Sequence, residues 1–504
     1  MAKNEVKWGA LLSYLLIIIN SLYGFLIVPF ILSSLGEAEY GVYKTISSLS
    51  SALMILDLGL GGTVMRYIAK FKSDDRKDKI QSFISMALGE GSIICAGLII
   101  VSAVIYALIP TIYSEGLSQS EIGLAKKLFL LLAVNMVFHI IENVLNGVIS
   151  GFNRFTFANG VKLIRILLRI GLLFVIFAFV KSAVALVLID LVLTVLQIAV
   201  EFIYINVNLK TKVRLSFKNW DKEIFKESFK YTLLLFITTI AAQINNNLDN
   251  VVIGAIRGAA PVAIYSMGLL IFGMFEQLST SLSGVMLPTV TNILKKDESG
   301  KEVQNTIVQI GRIQFMLLGA ALTGFAVLGK DVIALWLGEG YEDVYIITLI
   351  LMVPALLELC VNVCLAVLRA KNMLGFRTGV LFGVTAMNAV ITIVGVKLFG
   401  YYAAAVGTAL SFLLGSVIIM NIYYYKKLSF RMINIYRRIF SGTWLCLLIS
   451  GIAIAVSSHF ITGGWLAFII NAAIFCAVYG ITMLLFGFKK DEKKSFPIIK
   501  KFVK

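Results

Sequence analysis

Runs of about 17–25 mainly apolar residues recur from one end of this chain to the other, and each is long enough to cross a bilayer as a helix. They fall near 10–32, 42–65, 81–108, 126–150, 161–180, 182–206, 230–254, 262–290, 306–329, 343–368, 376–397, 400–424, 440–458 and 462–487. Inside lipid every backbone polar group needs a partner within the protein, so such runs must be helical. The pattern predicts an all-α polytopic membrane protein with about 14 transmembrane helices. Of the 504 residues 59% are hydrophobic and 14% charged, whereas soluble domains carry about 25% charged residues. The first run exceeds the roughly 7–15 residues of a signal-peptide core and no small-residue cleavage site follows it, so it reads as a retained span.

The net charge of +17 speaks to topology. Lys and Arg crowd alternate connections: Lys3 and Lys7, Arg66–Lys79, Arg154, Lys210–Lys226, Lys295–Lys301, Arg369–Arg377, Lys426–Arg438 and Lys489–Lys504. The connections between them are poor in cations and partly acidic, as in GEAEYG at 36–41 and GEGYED at 338–343. The positive-inside rule then puts both termini in the cytoplasm. The basic excess suits anionic membrane lipid and not nucleic acid.

The connections are too short to hold a soluble catalytic domain. GFAVLGKD at Gly324–Asp331 has phosphate-loop spacing, but it follows no strand and has Asp where Ser or Thr would bind magnesium. The five cysteines, Cys95, Cys360, Cys364, Cys446 and Cys476, all lie in apolar runs, which argues against a disulfide framework. Cys360 and Cys364 are one turn apart with no histidine nearby, and read as small buried side chains and not metal ligands.

The chain also repeats. NVLNGVISGFNRFTFANGV at 143–161 aligns without gaps on NVCLAVLRAKNMLGFRTGV at 362–380, an offset of 219, and GEAEYGVY at 36–43 matches GAAPVAIY at 258–265, an offset of 222. Gly62 then meets Gly284. These offsets predict an N-terminal six-helix lobe at 1–206, a basic cytoplasmic linker at 207–229, a C-terminal six-helix lobe at 230–425, and an extra helix pair with a basic tail at 426–504. Six spans are an even number, so the repeats run parallel.

Several predicted spans carry polar faces that cannot look at lipid, because an unpartnered polar group in hydrocarbon costs several kcal/mol. In the seventh span Gln243, Asn246, Asn247 and Asn250 share one face, widened by Asn245 and Asp249. The fourth has Asn135, His139, Glu142, Asn143 and Asn146; the sixth has Asp190, Thr194, Gln197 and Glu201; the fifth has Lys162, Arg165 and Arg169. Asp57, Glu276, Arg312 and Glu358 add ionisable groups at membrane depth, where a charge at a helix centre costs about 2.5–3.5 kcal/mol on insertion scales. Each face serves either a wet interior or hydrogen bonding between helices. His139 with Glu142 is a proton site or a static pair, Asp57 a functional acid or a local cap, and Lys44 and Lys162 lumen cations or snorkelling side chains.

Residues 28–71, VPFILSSLGEAEYGVYKTISSLSSALMILDLGLGGTVMRYIAKF, resemble the first signature of polysaccharide flippases in the multidrug/oligosaccharidyl-lipid/polysaccharide exporter superfamily. Pro29, Gly36, Tyr40, Gly41, Asp57, Leu58, Gly59, Arg66 and Tyr67 stand where that pattern has them. NNNLDNVVIG at 245–254 resembles the start of the family's second half. The resemblance implies a V-shaped alternating-access transporter that flips an undecaprenyl-diphosphate-linked oligosaccharide across a bacterial cytoplasmic membrane. It implies no enzymatic activity, no cofactor beyond a coupling ion, H+ or Na+, and polysaccharide polymerase or ligase machinery as partners. On this reading Lys44, Arg165, Arg169 and Arg312 meet the diphosphate, because arginine presents a fork of donors. Asn143, Asn146, Asn246, Asn247 and Asn250 meet sugar hydroxyls. Asp57, His139, Glu142, Asp249, Glu276 and Glu358 are the coupling candidates. Multidrug exporters and lipid II-type flippases of the superfamily are the alternatives, with a membrane-embedded polymerase or acyltransferase further off.

Overall fold

The computed structural model describes residues 2–57, 59–211, 225–228, 243–244, 246–283, 287–296, 300–371 and 373–488. Most of the predicted linker, the first half of the seventh predicted span, Asn245, Gly284 and the tail from 489 lie outside the described residues.

The described residues form helices and turns, with no strand among them. In chain order the helices are α1 (Ala2–Leu22), α2 (Val28–Leu53), α3 (Leu60–Ser73), α4 (Lys77–Ile112), α5 (Gln119–Gly151), α6 (Phe155–Phe177) and α7 (Ala183–Val207). A helix over 246–256, here α8, follows. Then come α9 (Ala259–Ser283), α10 (Leu287–Lys296), α11 (Lys301–Leu337), α12 (Glu342–Cys360), α13 (Val363–Ala370), α14 (Leu374–Phe399) and α15 (Tyr402–Ser411). The last four are α16 (Met420–Leu428), α17 (Met432–Phe440), α18 (Thr443–Phe460) and α19 (Gly464–Thr482).

Eleven stretches of the described residues are long and apolar enough to cross a membrane. The first, Leu11–Ser73, is 63 residues long and contains two predicted spans. It is interrupted by a π turn at Tyr23–Ile27, a corner at Gly36 (φ 77°) and a 3-10 turn at Met54–Asp57. Helix α6 is 23 residues, long enough to span, but Lys162, Arg165 and Arg169 lower its hydropathy. These two features explain much of the difference from the predicted fourteen.

Local chemistry sets the helix starts. Ser118 and Glu121 close a capping box on α5: the Glu121 amide donates to Ser118 Oγ (3.4 Å) and the Ser118 amide to Glu121 Oε2 (2.8 Å). Ser182 Oγ accepts from the Val184 amide at the start of α7, and Glu39 Oε1 accepts from the Ala183 amide at 2.6 Å. Helices α3 and α5 touch backbone to backbone. A Cβ on Gly147 would fall 2.6 Å from the Gly61 carbonyl oxygen, so only small residues permit this crossing. Leu60, Val64 and Ile68 pack there against Val144, Val148 and Ile149.

Some helix ends, ring contacts and backbone angles coincide at the offsets read from the sequence. Helix α5 ends at Gly151 and α6 begins at Phe155, while α13 ends at Ala370 and α14 begins at Leu374, each at the offset of 219. Phe157 stacks on Tyr204 with centroids 3.6 Å apart, and Phe376 stacks on Tyr423 at 4.2 Å, again at that offset. Gly36 and Gly258 both take positive φ, 77° and 95°, at the offset of 222.

Packing divides the chain into two compact units, 1–263 with 396–400, and 264–395 with 401–504. The division falls inside α9, so α8 belongs by sequence to the second repeat and by packing to the first unit. In the second unit, Cys360 and Cys364 sit in an apolar cluster with Ile307, Phe315 and Ile439.

Candidate functional site

The first unit contains three adjoining hollows of about 570, 700 and 250 Å³. The first two share Asn135, His139 and Asn143, and the last two share Asp57, Gly59 and Asn143. Helices α1, α2, α3, α5, α6 and α7, with Gln243, Asn246 and Asn247, build the walls. At membrane depth such polar surface is tolerated where it is buried in protein or lines a wet cavity.

Two hydrogen-bonded networks lie along these walls, separated by the 3.8 Å approach of His139 to Glu142. Asn143 Nδ2 donates to Asp57 Oδ2 and to His139 Nδ1, both at 3.2 Å. That arrangement leaves the imidazole proton on Nε2, which faces Glu142 Oε2 at 3.8 Å. Gln197 Nε2 donates to Glu142 Oε1 at 2.7 Å and to Glu201 Oε1 at 3.0 Å, bridging two buried carboxylates with one amide. Asn146 Nδ2 donates to Glu201 Oε1 at 3.3 Å, and Lys162 Nζ to Asn146 Oδ1 at 3.3 Å. The first network, Asp57–Asn143–His139, ties α5 to the turn before α3, and the second, Glu142–Gln197–Glu201–Asn146–Lys162, joins α5, α6 and α7.

The two arginines of α6 differ in charge balance. Arg169 makes a bidentate pair with Asp190, Nε to Oδ1 at 2.6 Å and Nη2 to Oδ2 at 2.7 Å, and its guanidinium lies 4.9 Å from the Tyr23 ring. Its charge is neutralised on the spot. Arg165 donates to neutral oxygens, Gln197 Oε1 at 3.0 Å and Thr194 Oγ1 at 2.9 Å. It therefore keeps its positive charge and further donors for an incoming anion.

The other candidates divide. Asn246 is exposed and Asn247 half-buried on the wall of the 700 Å³ hollow, where Asn247 Nδ2 donates to Gln243 Oε1 at 3.0 Å. Asn250 was expected to face the lumen on the same stripe. Instead it is 7% exposed and donates to Ser48 Oγ at 3.0 Å, because α8 turns that part of its face onto α2. Asp249 is buried too. Arg312 was expected to meet the diphosphate; the structure turns its donors to backbone carbonyls instead. It is 1% exposed in the second unit and donates to the carbonyls of Arg438, Ile439, Ser441 and Gly487 at 2.7–3.3 Å, so it ties helix ends together. Glu276 and Glu358 are within repulsive reach of each other in the second unit, where Glu358 also meets Ser416, and neither lines the hollows. Lys44 is half-buried, 5.8 Å from the Tyr40 ring and within electrostatic reach of Arg169.

Sequence reading missed Asn20, Tyr43, Ser47, Ser50 and Ser51, which also line the hollows. A serine run within an apolar span is a weak signal, because a helical hydroxyl can bond back to its own turn. Among the described residues no cluster of three or more His, Cys, Asp or Glu could hold a metal.

The fold and cavity define a polytopic helical membrane protein with a charged, hydrogen-bonding interior in one unit. Residues 6–294 match the family described as Polysaccharide biosynthesis protein, and the chain belongs to that family. The Probable flippase AglR of Haloferax volcanii is 27% identical over 176 residues, 34% of this chain and 36% of that protein, so the match spans about a third of that relative. The Putative O-antigen transporter of Shigella flexneri is 23% identical over 316 residues, 62% of this chain and 72% of that one. The solved structure of Lipid II flippase MurJ in an inward closed conformation superposes with a TM-score of 0.74 at 16% identity, over 95% of this chain and 98% of that one; at that identity the likeness concerns the fold.

Proposed function

We propose that this protein flips a lipid-linked oligosaccharide, joined through a diphosphate, from the inner to the outer leaflet of a cytoplasmic membrane. The observation that carries this reading is Arg165, a cation at membrane depth whose direct partners are neutral, set in a cavity rich in amides. A diphosphate needs a fork of charged donors. Sugar hydroxyls need neutral donors and acceptors, which Asn143, Asn146, Asn246 and Asn247 offer. The lipid tail stays in the bilayer while the headgroup crosses the polar hollow. The family membership and the relatives named as a flippase and an O-antigen transporter support the same reading.

The proposal keeps the repeat halves at 1–206 and 230–425, the basic linker at 207–229 and the helix pair with its tail at 426–504, on the strength of the matched offsets. It keeps both termini in the cytoplasm, from the loop charges. Coupling to an H+ or Na+ gradient is part of it, with Asp57, His139 and Glu142 in the cavity, Glu276 and Glu358 in the second unit, and Asp249 as carriers. Polymerase or ligase machinery of the same polysaccharide is the expected partner.

The test is reconstitution of the full chain in liposomes with a fluorescent prenyl-diphosphate oligosaccharide, following protection of the label from an impermeant quencher. Protein-dependent crossing, faster under an imposed pH or sodium gradient, is expected. Crossing no faster than in empty liposomes rejects the function, and crossing indifferent to both gradients rejects the coupling alone.

A further inference from the structure

A second cavity, remote in chemistry from the polar one, opens along the seam between α4 and α5. It measures about 470 Å³, within the size range of sites that hold a small organic ligand. Its walls are apolar: Ile99 and Ala103 on α4, with Ala133, Val137 and Phe138 on α5. Two polar features break that wall. Ser102 is 6% exposed and lines the groove, yet its Oγ has no hydrogen-bond partner, an uncommon state for a helical serine, which can usually bond back to its own turn. At one end, Tyr106 lines the groove and Lys126 Nζ lies 4.8 Å from its ring, with exposed Lys127 beside it.

These features form a sequence along α4. Tyr106 and Ser102 are four residues apart on one helix face, about 6 Å of rise, and Ile99 lies deeper on the same seam. From the end inward, the groove offers a cation, then an orphan hydroxyl donor, then hydrocarbon. We propose that this groove is a binding site for one anionic glycerophospholipid with ester-linked chains. Lys126 holds the phosphate, Ser102 Oγ donates to the ester carbonyl one helical turn below it, and one acyl chain lies along Ile99, Val137 and Phe138. The spacing selects the occupant. A polyprenyl phosphate has no carbonyl at that depth, and an ether-linked lipid leaves the Ser102 hydroxyl unpartnered. A zwitterionic headgroup sets its own cation against Lys126. The site is independent of the flippase reading, since neither its residues nor its ligand belongs to the polar cavity.

The full chain, purified in mild detergent and exposed to equal amounts of diacyl phosphatidylglycerol, its ether-linked analogue and diacyl phosphatidylcholine, is examined by native mass spectrometry. The wild-type protein is expected to retain one diacyl phosphatidylglycerol in preference to the other two. Lys126→Gln lowers the preference for the anionic over the zwitterionic lipid about fivefold. Ser102→Ala lowers the preference for ester over ether by a similar factor, about fivefold. Ala103→Leu, which stays apolar on a lipid-facing helix, fills the groove and removes the retained lipid while Lys126 and Ser102 remain. Equal retention of all three lipids by the wild type, or lipid binding unchanged in Ala103→Leu, overturns the proposal. Preferential retention of a polyprenyl phosphate over the diacyl lipid also overturns it, and assigns the groove to the transported class of lipid.

Discussion

Two arginines at membrane depth end in opposite circumstances. Arg165, in the first unit, lines a cavity and touches neutral oxygens. Arg312, in the second, is sealed among the carbonyls that end α17 and close the turn at Gly487. Both carry the same insertion penalty and look alike in the sequence. One keeps donors free for a ligand, and the other satisfies carbonyls that helix termini leave open. A buried charge in a membrane protein is therefore a sign that something is solvated, by a substrate or by the protein itself.

The repeats extend the contrast. At the offset of 219, Arg165 and Arg169 correspond to Val384 and Asn388, and Asp190 corresponds to Ala409. Asn388 is buried and donates to Thr408 Oγ1 at 3.2 Å, an ordinary interhelical hydrogen bond. The helix ends and the stacked aromatic pair survive in both repeats, whereas the arginine stripe is found in the first alone. Those helix ends and ring contacts recur at the offset, and the cavity chemistry does not.

Four experiments break or sharpen this comparison. Arg312→Leu strands its carbonyls, each orphan costing about 1–3 kcal/mol; a loss of about 4 kcal/mol or more in thermal unfolding is expected, and an unfolding curve close to wild type removes the structural role. Arg169→Leu leaves the half-buried Asp190 carboxylate without its partner and costs about 1–3 kcal/mol, while Arg169→Leu with Asp190→Leu costs less than either single change. A double-mutant cycle showing additive losses dissolves the pair. Arg165→Gln removes the charge held for the anion, and transport in liposomes falls about ten- to a hundredfold, the equivalent of one charge-assisted hydrogen bond, with unfolding little changed. Equal loss of stability and transport makes Arg165 a second Arg312.

The smallest effect lies ahead of the first span. Desolvation pushes the Glu5 carboxyl up, but hydrogen bonds from Thr156 and Arg154 and the Arg154 charge outweigh it and hold the group below its ordinary value. A depressed folded value stabilises above the usual carboxylate range, about pH 4, and that contribution is lost as pH falls through the folded value. Glu5→Gln is expected to cost under about 1 kcal/mol at neutral pH, as for other partly exposed pairs, and nothing in acid. A difference that grows on acidification reverses the assignment.

The polar stripes of the fourth, fifth and sixth predicted spans were legible because a bilayer makes polarity conspicuous, and most of their residues line the hollows. The stripe of the seventh was legible only in part. Its period put Asn246 and Asn250 on one face, but α8 crosses α2 so that Asn246 stays open and Asn250 closes on Ser48. The neutralisation of Arg169 by Asp190 and the reach of Gln197 to Glu142 had no one-dimensional signature, since these partners lie 21 and 55 residues apart.

From its order of residues alone this chain was bound to become a bundle of apolar helices, because hydrocarbon permits little else and periodicity survives any packing. Which polar atoms would meet one another, and which would be left for a ligand, depended on crossing geometry. Short-range hydrogen bonds between distant segments exist only once the helices have docked, and a shift of a few ångströms turns an open cation into a sealed cap.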